Sequence, residues 1–85
     1  MFREWVEWLK TIPRERLESA NKLIGYAAEK VSKIPRNSFE KECLRMLIMG
    51  ECYVNIIKYL EGKISYREAE AKIKNVLEKY GLEGV

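Results

Sequence analysis

The side chains available for chemistry are those of glutamate, lysine, arginine, tyrosine and cysteine, because the 85-residue chain contains no histidine, aspartate or glutamine. Without imidazole, the commonest general base that titrates near neutrality is missing. Serine–histidine and cysteine–histidine nucleophilic pairs are excluded for the same reason. We therefore predict that the chain is not an enzyme, although a site built from glutamate and lysine is the remaining catalytic alternative.

The two cysteines and the glycines give no cofactor or metal signature. Cys43 and Cys52 lie on one predicted helix, about 13.5 Å apart along its axis, which is too far for a disulfide bond. Their spacing does not fit a compact zinc site, and the single, scattered glycines form no phosphate-binding loop. We expect no metal, no cofactor and no small-molecule substrate.

Composition indicates one globular domain over residues 1–85. The chain is 47% hydrophobic and 34% charged, and it has no apolar run long enough to span a membrane. Charged residues interrupt the first ten positions before a signal-peptide core could form, which predicts a cytoplasmic protein. The surface, rich in lysine, glutamate, arginine and isoleucine, is typical of a hyperthermophile. A folded monomer of this mass should expose about 5,200 Å².

Hydrophobic spacing predicts four helices, at about 2–10, 13–33, 38–61 and 66–80, and no strand. The fold class is therefore all-α, a compact antiparallel helical bundle of three long helices plus a short N-terminal helix. Asn37 or Ser38 should begin the third helix. Ser65 and Glu68 have the spacing of a capping box, and Gly81 followed by Leu82 predicts a Schellman ending.

The third predicted helix is apolar nearly all round. Its main face is expected to supply the intramolecular core, with Phe39, Cys43, Met46, Leu47, Tyr53, Val54, Ile57 and Leu60. A second apolar row runs along the side expected to face water, with Leu44, Ile48, Cys52 and Tyr59, and Ile56 beside them. A helix that is apolar all round is normally buried all round, so this second row needs a cover.

The second row could be buried in two ways. The N-terminal helix, with its two tryptophans, could fold back over it, or a protein partner or second subunit could bind there. The second alternative predicts a partner interface made of Trp5, Trp8, Leu44, Ile48, Cys52 and Tyr59. If Cys52 is exposed in that interface, an intersubunit disulfide is also conceivable.

Basic residues concentrate around the second helix, although the whole chain has a net charge of only +3. Those considered for nucleic-acid binding are Arg14, Arg16, Lys22, Lys30, Lys33 and Arg36. Glu15, Glu18 and Glu29 interleave with them, which favours an ordinary solvated surface over a DNA-binding stripe. A membrane-surface role for the N-terminal helix is disfavoured by Glu4 and Glu7.

The leading prediction is a non-catalytic helical protein-interaction module. It would be an accessory or self-associating subunit of a larger cytoplasmic assembly, binding a protein partner or a second copy of itself. The alternative is a small DNA- or RNA-binding protein that uses the basic flanks of the second helix.

Overall fold

The computed structural model describes residues 2–83. Over this range the chain forms four helices and no strand: α1 (Phe2–Lys10), α2 (Arg14–Val31), α3 (Phe39–Leu60) and α4 (Tyr66–Lys79). The predicted all-α helical bundle is confirmed, and its predicted helix boundaries differ from these by no more than two residues. No helix in this range is long and apolar enough to cross a lipid bilayer.

The N-terminal ends of α3 and α4 are capped by serine side chains. Ser38 caps α3, because its Oγ accepts a hydrogen bond from the backbone N–H of Lys41 at 3.2 Å. Ser65 caps α4 reciprocally: its Oγ accepts from the Glu68 N–H at 3.1 Å, and its own N–H donates to the Glu68 carboxylate at 3.4 Å. The predicted capping box at α4 is thus confirmed, and Ser38 is the cap of α3 rather than Asn37.

The C-terminal ends of α3 and α4 share one geometry. Gly62 and Gly81 adopt φ angles of 78° and 75°, a left-handed conformation that favours glycine. The following residue then bonds back into the helix, with Leu82 N–H donating to the Leu77 carbonyl at 2.8 Å. Lys63 N–H donates to the Lys58 carbonyl at 2.9 Å in the same way. Both ends are Schellman motifs.

Helix α3 is central in the packing. It contacts both α2 and α4, which contact each other less, whereas the backbone of α1 does not come close to the other three helices and α1 meets the end of α3 through side chains. The backbone measures 39 × 29 × 17 Å, and its thinnest dimension has room for two packed layers of helices but not for three. Helix α3 is therefore covered on one side only.

The side of α3 that is covered is the opposite of the one predicted. Ile48 and Cys52 are fully buried, and Ile56 and Tyr59 are buried with them, in a core shared with α2 and α4. The prediction that this row stays open for a partner is therefore wrong. The alternative in which α1 covers it is also wrong, because the cover is supplied by α2 and α4.

Polar side chains beside the buried row explain its orientation. One guanidinium nitrogen of Arg45 donates to the carbonyls of Val31 and Ile34, both at 2.9 Å, at the C-terminal end of α2. On the α4 side, Lys79 Nζ lies 3.1 Å from the Glu51 carboxylate. In a helical pattern, polar residues such as Arg45 and Glu51 usually indicate a face turned to water. In the fold they join α3 to its neighbours and flank the core.

Candidate interaction surface

The expected core face of α3 is exposed instead. We call it the outer face and define it by its six large exposed side chains, Phe39, Met46, Leu47, Tyr53, Val54 and Ile57. Phe39, Met46 and Leu47 are 79%, 69% and 61% exposed. At about 100° per residue around the helix axis, all six side chains point within about 60° of the direction of Gly50. The buried row lies on the other side of the helix. The outer face is thus one continuous stripe.

The outer face is large for a chain of this size. Its side chains present on the order of 700 Å² of mainly apolar surface, whereas the largest apolar patch of a typical monomer is about 300–600 Å². The whole chain exposes 6112 Å², where about 5,200 Å² is expected for its mass. Its radius of gyration is 13.8 Å, against about 12 Å for a compact domain of this length.

The N-terminal half of the outer face contains a cleft of about 410 Å³. Its apolar wall consists of Val31, Phe39, Cys43, Met46 and Met49, and its charged rim of Arg36, Glu42 and Arg45. Farther along the same stripe, a Cβ atom placed on Gly50 would meet no other atom within 4 Å. The middle of the outer face is therefore open, and a second helix could approach the α3 backbone closely there.

The tryptophans of α1 form a separate feature near the C-terminal end of α3. Trp5 is 54% exposed and Trp8 is half-buried, and their rings meet edge to face with centroids 5.7 Å apart and planes at 84°. With Glu4 and Glu61 they line a cleft of about 360 Å³. Of the six residues predicted as a partner interface, the structure leaves Trp5, Trp8 and Leu44 accessible and buries Ile48, Cys52 and Tyr59.

The basic residues around α2 do not form a continuous free stripe. Arg14 pairs with Glu18 at 3.2 Å, and Arg36 pairs with Glu42 at 3.8 Å. Arg16 lies over the Tyr59 ring at 5.4 Å. Of the other three, Lys22 and Lys33 are exposed, and the Lys30 ammonium lies over the Tyr26 ring at 5.8 Å.

Among the residues that the structure describes, three ionisable groups have pKa values shifted away from neutrality. Burial, with the nearby Glu51 charge, raises the pKa of the Cys52 thiol to about 11. Burial and the hydrogen bond from its hydroxyl to Glu83 raise the pKa of Tyr26 to about 12. The hydrogen bond to Glu51 raises the pKa of Lys79 above its usual value. None of these shifts prepares a group for acid–base work near pH 7.

Within residues 2–83, no group of three cysteine or acidic side chains is placed to hold a metal ion. Comparison with protein-family models, curated proteins and solved structures finds no significant match to this chain. The outer face and the tryptophan cleft are therefore the two candidate functional features of the described residues.

Proposed function

We propose that this protein is a non-catalytic, self-associating helical module that binds a second copy of itself through the outer face of α3. The observation that supports the proposal is a continuous apolar stripe of about 700 Å² on one helix. Burying it at ~25 cal/mol per Å² would contribute about 17 kcal/mol per subunit before the costs of association are subtracted. Leaving it in water has no compensating benefit for a monomer.

The area favours a second copy as the partner. The chain exposes roughly 900 Å² more than a compact monomer of its mass, and a standard interface buries about 800 Å² on each side. A two-fold dimer uses the same patch on both subunits, so one stripe supplies both halves of the interface.

Charge at the flanks of the outer face favours an antiparallel pair. Glu40 and Lys58 project from the same flank of α3, one near each end, and neither forms an ion pair with another residue in the described range 2–83. A two-fold axis near Met49 places Glu40 of one copy opposite Lys58 of the other, twice per dimer. A parallel pair would instead place Glu40 beside Glu42 of the second copy, where like charges repel.

Side-chain shapes fit the same arrangement. With the axis near Met49, Ile57 of the second copy lies opposite the gap between Phe39 and Cys43, at the cleft of about 410 Å³. Gly50 lies next to the axis, where the two helices come closest. Knobs therefore face holes at both ends of the stripe, as in packed helical bundles.

The test is the mass in solution, measured by size exclusion with light scattering over a range of protein concentrations. Wild type should be a dimer that dissociates on dilution. Leu47→Glu and Val54→Glu should each weaken the dimer at least tenfold, because each would bury an unpaired carboxylate at the interface. Helicity should be unchanged, since both side chains are exposed in one subunit.

Ala71→Glu is the matched control, because it adds the same charge to an exposed position of α4, outside the outer face. This variant should dimerise like wild type. Wild type that remains monomeric at millimolar concentration would contradict self-association. A monomer that instead binds duplex or single-stranded nucleic acid, with affinity falling steeply as salt rises, would favour the nucleic-acid alternative.

A further inference from the structure

We propose that the cleft between α1 and the C-terminal end of α3 is a binding site for an organic cation of the alkylammonium or guanidinium class. Trp5, Trp8, Glu4 and Glu61 line it. None of these residues belongs to the outer face, so the site does not depend on the proposed dimer.

The two indole rings form a corner. Their planes are 84° apart and their centroids 5.7 Å apart, so the edge of one ring meets the face of the other and the two rings border the cleft in different orientations. An indole face attracts cations through its quadrupole more strongly than any other side-chain ring. Quaternary ammonium groups are recognised by aromatic walls of this kind, because a bulky cation with a weak hydration shell loses little on leaving water.

The two carboxylates give the cleft a negative potential. Glu4 forms no ion pair with another residue of the range 2–83, and Glu61 pairs only with the exposed Lys63, at 3.3 Å. Exposed pairs of this kind contribute little energy, so Lys63 leaves much of the Glu61 charge available. The nearby guanidinium of Arg16 lies over Tyr59 and does not line the cleft.

The chemistry of the lining favours an organic cation over a metal ion. Hard divalent ions require six or more oxygen ligands at short range, whereas this cleft has two carboxylates and two apolar rings. Its volume of about 360 Å³ is far larger than a bare ion needs, and it accommodates a trimethylammonium or guanidinium group. Neutral apolar ligands would leave the carboxylates without a counter-charge.

Trp5 and Trp8 are the only tryptophans in the chain, so tryptophan fluorescence reports on this cleft alone. The experiment titrates the protein with choline chloride at constant ionic strength. The control ligand is 3,3-dimethyl-1-butanol, which replaces the quaternary nitrogen of choline with carbon and is therefore a neutral isostere. Choline should change the fluorescence saturably, with half-saturation in the millimolar range, and the neutral isostere should bind at least tenfold more weakly.

Glu4→Gln and Glu61→Gln should each weaken choline binding three- to tenfold. Glu7→Gln is the matched control, because it removes the same charge from an exposed position of α1 outside the cleft, and it should change the affinity less than twofold. Glu4→Gln and Glu7→Gln should keep the fold, since both side chains are exposed. Equal responses to choline and its isostere, or equal effects of Glu4→Gln and Glu7→Gln, would overturn the proposal.

A natural cation could be a free molecule or a side chain of a second copy, and one further arm distinguishes them. Here the argument rests on the proposed antiparallel dimer, which brings Arg36 of the second copy nearest to Glu61. If that guanidinium occupies the cleft, choline affinity should fall as the protein dimerises, and Arg36→Gln should abolish the fall. Affinity that does not depend on protein concentration would identify a free cation. Either result supports the cation site. Neither result depends on the outcome of the choline titration of the wild type or of the Glu→Gln variants.

Discussion

Cys52 shows how the position of one side chain in α3 determines its chemistry. Its sulfur is fully buried between α2 and α4, whereas Cys43, nine residues earlier, is half-buried and lines the cleft of the outer face. Burial and the neighbouring Glu51 charge raise the pKa of the Cys52 thiol to about 11. The prediction that Cys52 could form an intersubunit disulfide is therefore wrong, since its thiol does not reach the surface.

We expect the Cys52 thiol to resist a disulfide-exchange reagent in the folded protein. In Cys43→Ala, the reaction at pH 8 should be at least about 100-fold slower than in the same protein unfolded by denaturant, because the raised pKa leaves about 100-fold less thiolate and burial blocks access. In the control, Cys52→Ala, the remaining Cys43 should react much faster. Rapid reaction of Cys52 in the folded state would contradict its burial.

The same shift makes stability depend on pH. The folded state holds the Cys52 proton more tightly than the unfolded state does, since its pKa lies near 11 rather than at the usual value of 9.0. Unfolding is therefore favoured once the unfolded thiol can ionise. The contribution of Cys52 to the free energy of unfolding is fully present below pH 9 and is lost as the pH rises towards 11.

At the scale of the helix, Arg45 connects the start of α3 to the end of α2. Its guanidinium donates to the carbonyls of Ile34 and of Val31, and the Val31 carbonyl also accepts from the Ile34 N–H at 3.0 Å. These bonds hold the segment that follows α2 close to α3, because α2 ends at Val31 and Ile34 lies beyond it. They stabilise the orientation in which Ile48 and Cys52 face the core, whereas the exposed Glu51–Lys79 pair contributes little energy.

We predict that Arg45→Met destabilises the fold by about 1.5–3 kcal/mol. Methionine keeps most of the aliphatic stem but removes the two charge-assisted hydrogen bonds, leaving two carbonyls with fewer partners. The measurement is the free energy of unfolding from denaturant titration. Arg67→Met is the control, since Arg67 is exposed on α4, and it should cost less than about 0.5 kcal/mol. Equal effects of the two changes would mean that the Arg45 bonds do not hold α2 to α3.

At the scale of the whole molecule, the arrangement of the helices leaves α3 covered on one side. Helices α2 and α4 both pack on the buried row, and α1 lies beside the C-terminal end of α3 without close backbone contact. The result is a thin, extended molecule with an apolar stripe on its open side. A third neighbouring helix could pack on the open side of α3. In the proposed dimer, that neighbour is α3 of the second copy.

Reversing the charges of Glu40 and Lys58 tests whether the two α3 helices of the proposed dimer are antiparallel. Glu40→Lys alone and Lys58→Glu alone should each weaken the dimer about two- to tenfold, because each places two pairs of like charges together. The double variant should recover most of the wild-type affinity, since both pairs are restored with signs reversed. Dissociation constants from sedimentation equilibrium measure the effect. Additive weakening in the double variant would contradict the antiparallel register.

The sequence by itself determined the helices and their ends. Prolines, serine caps and left-handed glycines act within a few residues, so Ser65 with Glu68 and Gly81 with Leu82 could be read without any tertiary information. The apolar circumference of α3 was equally visible, because hydrophobic periodicity is a property of one helix. The sequence therefore already indicated that α3 has more apolar surface than one intramolecular core can bury.

Only the tertiary structure decided which side of α3 is buried. Both of its apolar faces could form a core, and the difference lies in contacts with residues distant in sequence: Arg45 with the end of α2, and Glu51 with Lys79 on α4. Polar residues in a helical pattern are usually expected to face water, but Arg45 and Glu51 instead reach partners at the neighbouring helices, although one Glu51 carboxylate oxygen is buried without a hydrogen-bond partner in the range 2–83. The tryptophan cleft likewise could not be predicted from the sequence, because it depends on α1 lying near the end of α3.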